Sequence, residues 1–329
     1  MKKIKLDFCN FWDGFDKSNN LFTNILSRHF DVEISSDPDF VICSNRGSPF
    51  EYMKYDCVRI MFMGENISPD FTVFDYAIGF DYITFHDRYF RLPLVFYKSD
   101  AKPWVPEVLT ENQAWQILKQ KKYFCNFIYG HASSHGMREA LFRELSRYKA
   151  VISPGSYLNN TEVSGKATRC PYGKKLQYLA ESKFTIAGDS VVHPGFVTEK
   201  IMDPFLYHSI PIYFGNPEID KDFNTEAFVW CRNEADMERV FAEVQYLDTH
   251  DDAYIAMLLK SPLTDPNSIE KTYYALEQFL YNIFIQDRDA AYRRFRYFCA
   301  ELHEKHLRVY SKIFRITPKI ALKAIDKLL

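Results

Sequence analysis

The feature that most constrains this chain is a series of short apolar runs, each too short for a helix and each followed by a loop or a helical pattern. Ile4-Lys5-Leu6-Asp7-Phe8, Asp39-Phe40-Val41-Ile42-Cys43-Ser44, Val58-Arg59-Ile60-Met61-Phe62-Met63 and Phe74 to Phe80 form one set. Tyr123 to Tyr129, Lys149 to Ile152, Phe184 to Ala187 and Ile210 to Phe214 form a second. Nearly continuous apolar strands alternating with helical segments (Leu21–Phe30, then Met137, Leu141, Leu145 and Tyr148 at helical spacing) predict an α/β fold with parallel sheets covered on both faces. Two sets over 329 residues predict two Rossmann-like units facing each other across a cleft. A boundary is expected after the Trp104–Pro106 region, giving domains 1–118 and 119–285. Beyond residue 233 the pattern turns helical: Glu234–Leu247, Ser268–Ile285 and Arg288–Phe314. Residues 286–329 form a third, basic segment, with seven Lys/Arg against three Asp/Glu from Glu301 onward. Leu307, Tyr310, Ile313 and Phe314 share one side of it. Such a helix either lies weakly on an anionic membrane or docks back onto the first domain.

A net charge of -2 gives no basic field for nucleic acid, and 26% charged residues against 47% hydrophobic ones is a globular balance. Seven scattered cysteines with no C-x-x-C pair point to a reducing compartment and no zinc site. With no secretory pattern at the start and no run approaching ~20 apolar residues, the expected location is cytoplasmic, or peripheral at the inner face of a membrane.

The chemistry concentrates at strand ends. In His193-Pro194-Gly195-Phe196-Val197-Thr198-Glu199-Lys200-Ile201 a Gly-containing loop leads from a strand into a helix expected to start around Val197. A helix N-terminus there offers N–H groups and a positive dipole end to phosphate, Lys200 adds a cation, and the Glu199 carboxylate suits ribose hydroxyls. Bare spacing does not separate this from an ordinary helix start with a surface Glu and Lys. Pro204 implies a kink or a later start. Arg138, opening a helix after Gly130-His131-Ala132-Ser133-Ser134-His135-Gly136, carries a planar fork for two phosphate oxygens, or is a surface Arg. Glu65, on Gly64-Glu65-Asn66 after a strand, suits a general base facing the cleft, or a loop cap. Trp12, Asp13 and the loop to Asn20 follow the first strand and are placed on the cleft side of the first unit by topology. Asp37-Pro38-Asp39 and Asp287-Arg288-Asp289 match a loose metal-binding pattern, but the first leads into a strand and the second caps a helix; no metal is assigned.

In longer strings the chain resembles the α1,3/4-fucosyltransferases of glycosyltransferase family 10, bacterial type, over residues 4–260. Phe62-Met63-Gly64-Glu65-Asn66, Phe74 to Asp81, Asp87 to Pro93, Phe196 to Ile201 and His208 to Gly215 carry the likeness. The resemblance implies a GT-B fold that moves L-fucose, with inversion, from GDP-fucose bound by the second domain to a glycan acceptor bound by the first. The implied acceptor is of N-acetyllactosamine type, linked α1,3, in a Lewis-type glycan, lipopolysaccharide or surface polysaccharide. Glu65 would be the base and Asn66, Trp12 and Asp13 would meet the acceptor. Arg138 and Lys200 would neutralise GDP, Glu199 would bind ribose, and Phe196 and Thr198 would complete the donor site without a required cofactor. Phe196 stands where the family often has Tyr. Gly188-Asp189-Ser190 stands where it usually has Phe-Glu-Asn, so Asp189 and Ser190 are the residues expected at the sugar. A different nucleotide sugar on the same fold, or a non-catalytic carbohydrate- or nucleotide-binding module, are the alternatives.

Overall fold

The computed structural model describes residues 1–47, 50–97, 106–161, 172–294 and 298–316. The Trp104 region and the tail beyond residue 316 lie outside the described residues. The first unit contains β1 (Lys2–Cys9), α1 (Leu21–Leu26), β2 (Phe30–Ile34), β3 (Phe40–Cys43), β4 (Val58–Phe62), β5 (Tyr76–Gly79) and β6 (Tyr89–Arg91). The second contains α2 (Glu111–Gln120), β7 (Tyr123–Asn126), α3 (Met137–Tyr148), β8 (Val151–Ile152), α4 (Tyr172–Glu181), β9 (Ser182–Gly188), α5 (Glu199–Leu206), β10 (Ile210–Phe214), β11 (Val229–Trp230), α6 (Met237–Thr249) and α7 (Asp251–Leu258). The chain then forms α8 (Ser268–Phe284), α9 (Arg288–Ala291) and α10 (Phe298–Ile316).

Both sheets are wholly parallel. The first runs β2-β1-β3-β4-β5-β6 and the second β11-β10-β9-β7-β8. Every residue of β3, β4 and β5 is buried, as the absence of apolar–polar alternation requires. Strand order reverses between β1 and β3 in one sheet and between β7 and β9 in the other. In open parallel sheets the crevice for ligands opens beyond the carboxyl ends at such a reversal. The loops after β1, β3, β7 and β9 therefore border the places where a site is expected.

The C-terminal helices depart from the sequence reading. Residues 268–284, placed with the second domain, pack on the first sheet: the Phe284 ring lies 4.4 Å from that of Phe40, and Phe279 lies 5.5 Å from Phe90. One buried apolar cluster continues from this sheet through Leu92, Val95 and Phe96 to Val197, Ile201 and Phe205 at the start and inner face of α5, so the two units share a core. The expected helix Arg288–Phe314 is broken because Asp75 Oδ1 takes the N–H groups of Arg293 and Arg294, at 2.8 and 2.9 Å, away from helical bonding. Arg294 also pairs with the same carboxylate, and neither side chain is exposed. The described part of α10 docks on the first domain, as one of the two alternatives required. Buried Glu304 accepts from Arg59 at 2.9 Å, Arg308 donates to the Met53 carbonyl at 3.1 Å, and Leu307 packs against the buried cluster that contains Cys43 and Met61. No described helix is long and apolar enough to cross a membrane.

Candidate active site

The second sheet builds the better-defined half. At its reversal Tyr129, just past β7, ties the two strands together: its hydroxyl accepts from Gly188 N–H at 2.7 Å and donates to the Ile186 carbonyl at 2.8 Å. Above that ring two cations meet. The Arg138 guanidinium stands 4.1 Å from the ring centroid and the Lys200 ammonium 5.8 Å. The α-carbon of Gly188 leaves room for this packing; a Cβ there would lie 2.4 Å from Arg138 Cγ. Arg138 is 2% exposed, holds the His131 carbonyl through Nη2 at 3.2 Å, and keeps Nε buried without a partner. A buried guanidinium with donors to spare is an anion site in waiting. Lys200 pairs with the carboxylate of Glu199, which is half exposed. Burial pushes the Glu199 carboxyl up, but Lys200 and then Lys175 more than offset it, so its pKa falls below the usual value. It stays an ionised acceptor at neutral pH.

The loop between β9 and α5 corrects the sequence reading at three residues. Helix α5 begins at Glu199, two residues later than expected, with Thr198 as its N-cap accepting from Lys200 N–H at 3.4 Å; Pro204 sits in the second turn. Asp189 is not free for a sugar. It is 1% exposed, takes the Thr198 hydroxyl and N–H on Oδ1, and takes the Tyr213 hydroxyl on Oδ2 at 2.7 Å. Burial, eased by those hydrogen bonds, raises its pKa from 3.8 to about 6. Its carboxylate is thus spent on the N-cap residue of α5 and on Tyr213. Phe196 is not open to a ligand either: 3% exposed, it packs edge-on to Phe80 at 5.1 Å. Ser190 offers its carbonyl to Ser134 at 2.8 Å, and His135 bridges from Met137 N–H to the Asp189 carbonyl, which locks the Gly/Ser loop onto this one.

The first sheet supplies the other half. Trp12, in the loop after β1, packs edge-on to Phe15 at 5.1 Å and Tyr97 at 6.0 Å, with Asp13 exposed beside it. Glu65, three residues past β4, is 52% exposed and accepts from Arg46 at 2.8 Å; Asn66 is exposed. Arg46 follows β3, so the loops after β3 and β4 are coupled by an ion pair that single-sequence reading missed. Tyr129 stands just past β7, Arg46 just past β3 and Lys175 on α4, where it pairs with Asp203 on α5; no motif in the sequence marks any of the three.

The halves meet where the loop after β5 touches the loop after β9. His193 Nε2 lies 2.8 Å from Asp81 Oδ1. Arg91 holds Asp222 through both nitrogens, at 2.9 and 2.6 Å. Gly195 has φ +83 and lies so close to the Phe80 carbonyl that a Cβ would stand 2.3 Å from its oxygen.

Two adjoining family models cover most of the chain. Residues 6–97 match the α-(1,3)-fucosyltransferase FucT N-terminal domain, and residues 118–259 match the glycosyltransferase family 10 (fucosyltransferase) C-terminal region. The chain belongs to glycosyltransferase family 10. Among relatives of this family 10 member, an α-(1,3)-fucosyltransferase of Helicobacter pylori is 29% identical over 79% of this chain and 60% of its own length. α-(1,3)-Fucosyltransferase B of Drosophila melanogaster is 27% identical over 49% of this chain and 40% of its own. The chain thus spans less than two thirds of the curated relatives it matches. A crystal structure of an α1,3-fucosyltransferase is similar at 26% identity and TM-score 0.67, over 87% of this chain and 90% of that one. A crystal structure described as α1,3-fucosyltransferase with GDP-fucose is similar at 25% identity and TM-score 0.64, over 85% and 90%. These likenesses bear out the two-unit GT-B architecture.

Proposed function

We propose that this chain is an inverting α1,3-fucosyltransferase that moves L-fucose from GDP-fucose to a hydroxyl of an N-acetyllactosamine-type glycan, in glycan or surface polysaccharide synthesis. The observation that carries the proposal is the convergence of buried Arg138 and of Lys200 on the Tyr129 ring at the reversal of the second sheet. That pair matches the charge of a departing nucleoside diphosphate, and the family match supports fucose as the sugar. In the proposed step the acceptor hydroxyl attacks the anomeric carbon, its proton passes to Glu65, and the bond to the diphosphate breaks with inversion. Arg138 and Lys200 take up the charge that develops on GDP, so no metal enters the step. Glu199, ionised and half exposed, is assigned to the ribose hydroxyls. The exposed Val309 and Tyr310 of α10 support weak membrane contact as a further part of this proposal.

The test is a mass-spectrometric transfer assay with GDP-fucose, GDP-mannose and UDP-sugars on a galactose–N-acetylglucosamine acceptor, with and without chelator. Product from GDP-fucose alone, unchanged by chelator, is expected. Turnover only with a UDP-sugar would reject the proposal.

A further inference from the structure

With Asp189 buried in the cap of α5, the loop that follows it needs another residue to read the sugar, and the seam between the domains contains one that the catalytic assignments leave unused. His193 sits on this loop with its side chain 36% exposed, while its partner Asp81 is 7% exposed. The imidazole is fixed from two directions: Nε2 lies 2.8 Å from Asp81 Oδ1, and the ring stands edge-on to Phe80 with centroids 5.9 Å apart. An ionised carboxylate only accepts, so it selects the tautomer with the proton on Nε2 and leaves Nδ1 as an acceptor. None of the described residues hydrogen-bonds to Nδ1.

The seam around it is short of partners in a particular way. Asp81 Oδ2 and Asn216 Nδ2 are both buried without a hydrogen bond among the described residues. Asn216 belongs to the same seam, because its Oδ1 accepts from Gly195 N–H at 3.0 Å and Gly195 abuts the Phe80 carbonyl. Buried polar atoms are almost always paired. Asp81 Oδ2 and His193 Nδ1 are both spare acceptors, which suits a ligand group that donates, such as a hydroxyl.

We propose that His193 is a specificity-determining residue that accepts a hydrogen bond at Nδ1 from a hydroxyl of the transferred sugar, with Asp81 as the positioning residue that fixes its tautomer and direction. The assignment rests on the reading of the chain as a GDP-sugar transferase and names the part of that site which reads the sugar rather than the nucleotide.

Calorimetry with GDP and with GDP-fucose separates the two. His193→Phe keeps the ring packing but removes the acceptor, and is expected to weaken GDP-fucose by about tenfold, the worth of one hydrogen bond in a partly buried site, while GDP binds as in wild type. His193→Asn, which restores a polar atom near Nδ1, is expected to recover most of that loss. Equal weakening of GDP and GDP-fucose would make His193 a loop-shaping residue, and no weakening of either would remove it from the site; each result overturns the proposal. Should His193→Phe fail to fold, Asp81→Ala leaves the imidazole in place but unclamped. The same selective loss is expected there, and an unchanged ratio of the two affinities overturns the assignment. A wild-type chain that binds neither compound rejects the transferase reading itself, and this assignment with it.

Discussion

Replacing Gly195 with alanine tests whether the two domains meet through the loop between β9 and α5. The glycine has φ +83, and an added Cβ would stand 2.3 Å from the Phe80 carbonyl oxygen and 3.2 Å from its carbon. That carbonyl belongs to backbone at the end of β5 and has no flexible arm to swing aside. The left-handed backbone costs an L-residue about 1–2 kcal/mol, and forcing a methyl into filled space costs about 1–3 kcal/mol more. A total near 3 kcal/mol corresponds to a fall in Tm of about 6–12 °C for domains of this size. Gly14→Ala is the control: Gly14 has φ +79 but nothing within 4 Å of a Cβ, so it bears the backbone cost alone, about 1–2 kcal/mol. Thermal denaturation of both variants isolates the clash, and a transfer assay reads its effect on the segment from His193 to Thr198. If Gly195→Ala is no less stable than Gly14→Ala, the domains do not touch as described.

Three other expectations follow from single residues. Asp189 holds its proton more tightly folded than unfolded, so its contribution is complete below pH 3.8 and is lost as pH rises to about 6, by about 3 kcal/mol; denaturant titrations of wild type and Asp189→Asn should diverge over that window, and parallel curves would contradict the assigned environment. Glu304→Gln removes the carboxylate from buried Arg59 and is expected to cost about 3–5 kcal/mol, read as a lowered Tm with earlier proteolysis of α10; a loss below ~0.5 kcal/mol, the scale of an ordinary surface change, would mean that α10 is not docked. Lys200→Ala is expected to weaken GDP by about 10- to 100-fold, the range of a charge-assisted contact, and full affinity by calorimetry would remove Lys200 from the diphosphate site.

The sheets were legible because β3, β5 and β10 are unbroken apolar runs and β4 and β9 are mostly apolar, a pattern that suits a doubly covered strand. β2, with its Asp31 and Glu33, and three-residue β6 were not, since edge strands carry no such signal. Strand order was equally hidden, and with it the meeting of Tyr129, Arg138 and Lys200. Asp189 was misread for a related reason. A carboxylate past a strand end looks the same in sequence whether it faces a ligand or caps the next helix, and the Tyr213 hydroxyl that settles the matter comes from another strand. The return of α8 to the first sheet depends on contacts across more than 200 residues, such as Phe40 with Phe284, which no local pattern encodes.

The most direct test of one site assembled from both domains is Glu65→Gln, assayed for GDP-fucose binding and for transfer on the same preparation. Glu65 stands on the first domain and the cations on the second, so the substitution is expected to leave GDP-fucose affinity unchanged while transfer falls by about 10²- to 10⁴-fold, the contribution of a general base. Transfer within a few-fold of wild type would show that the proton leaves by another group and that the site is not built as described.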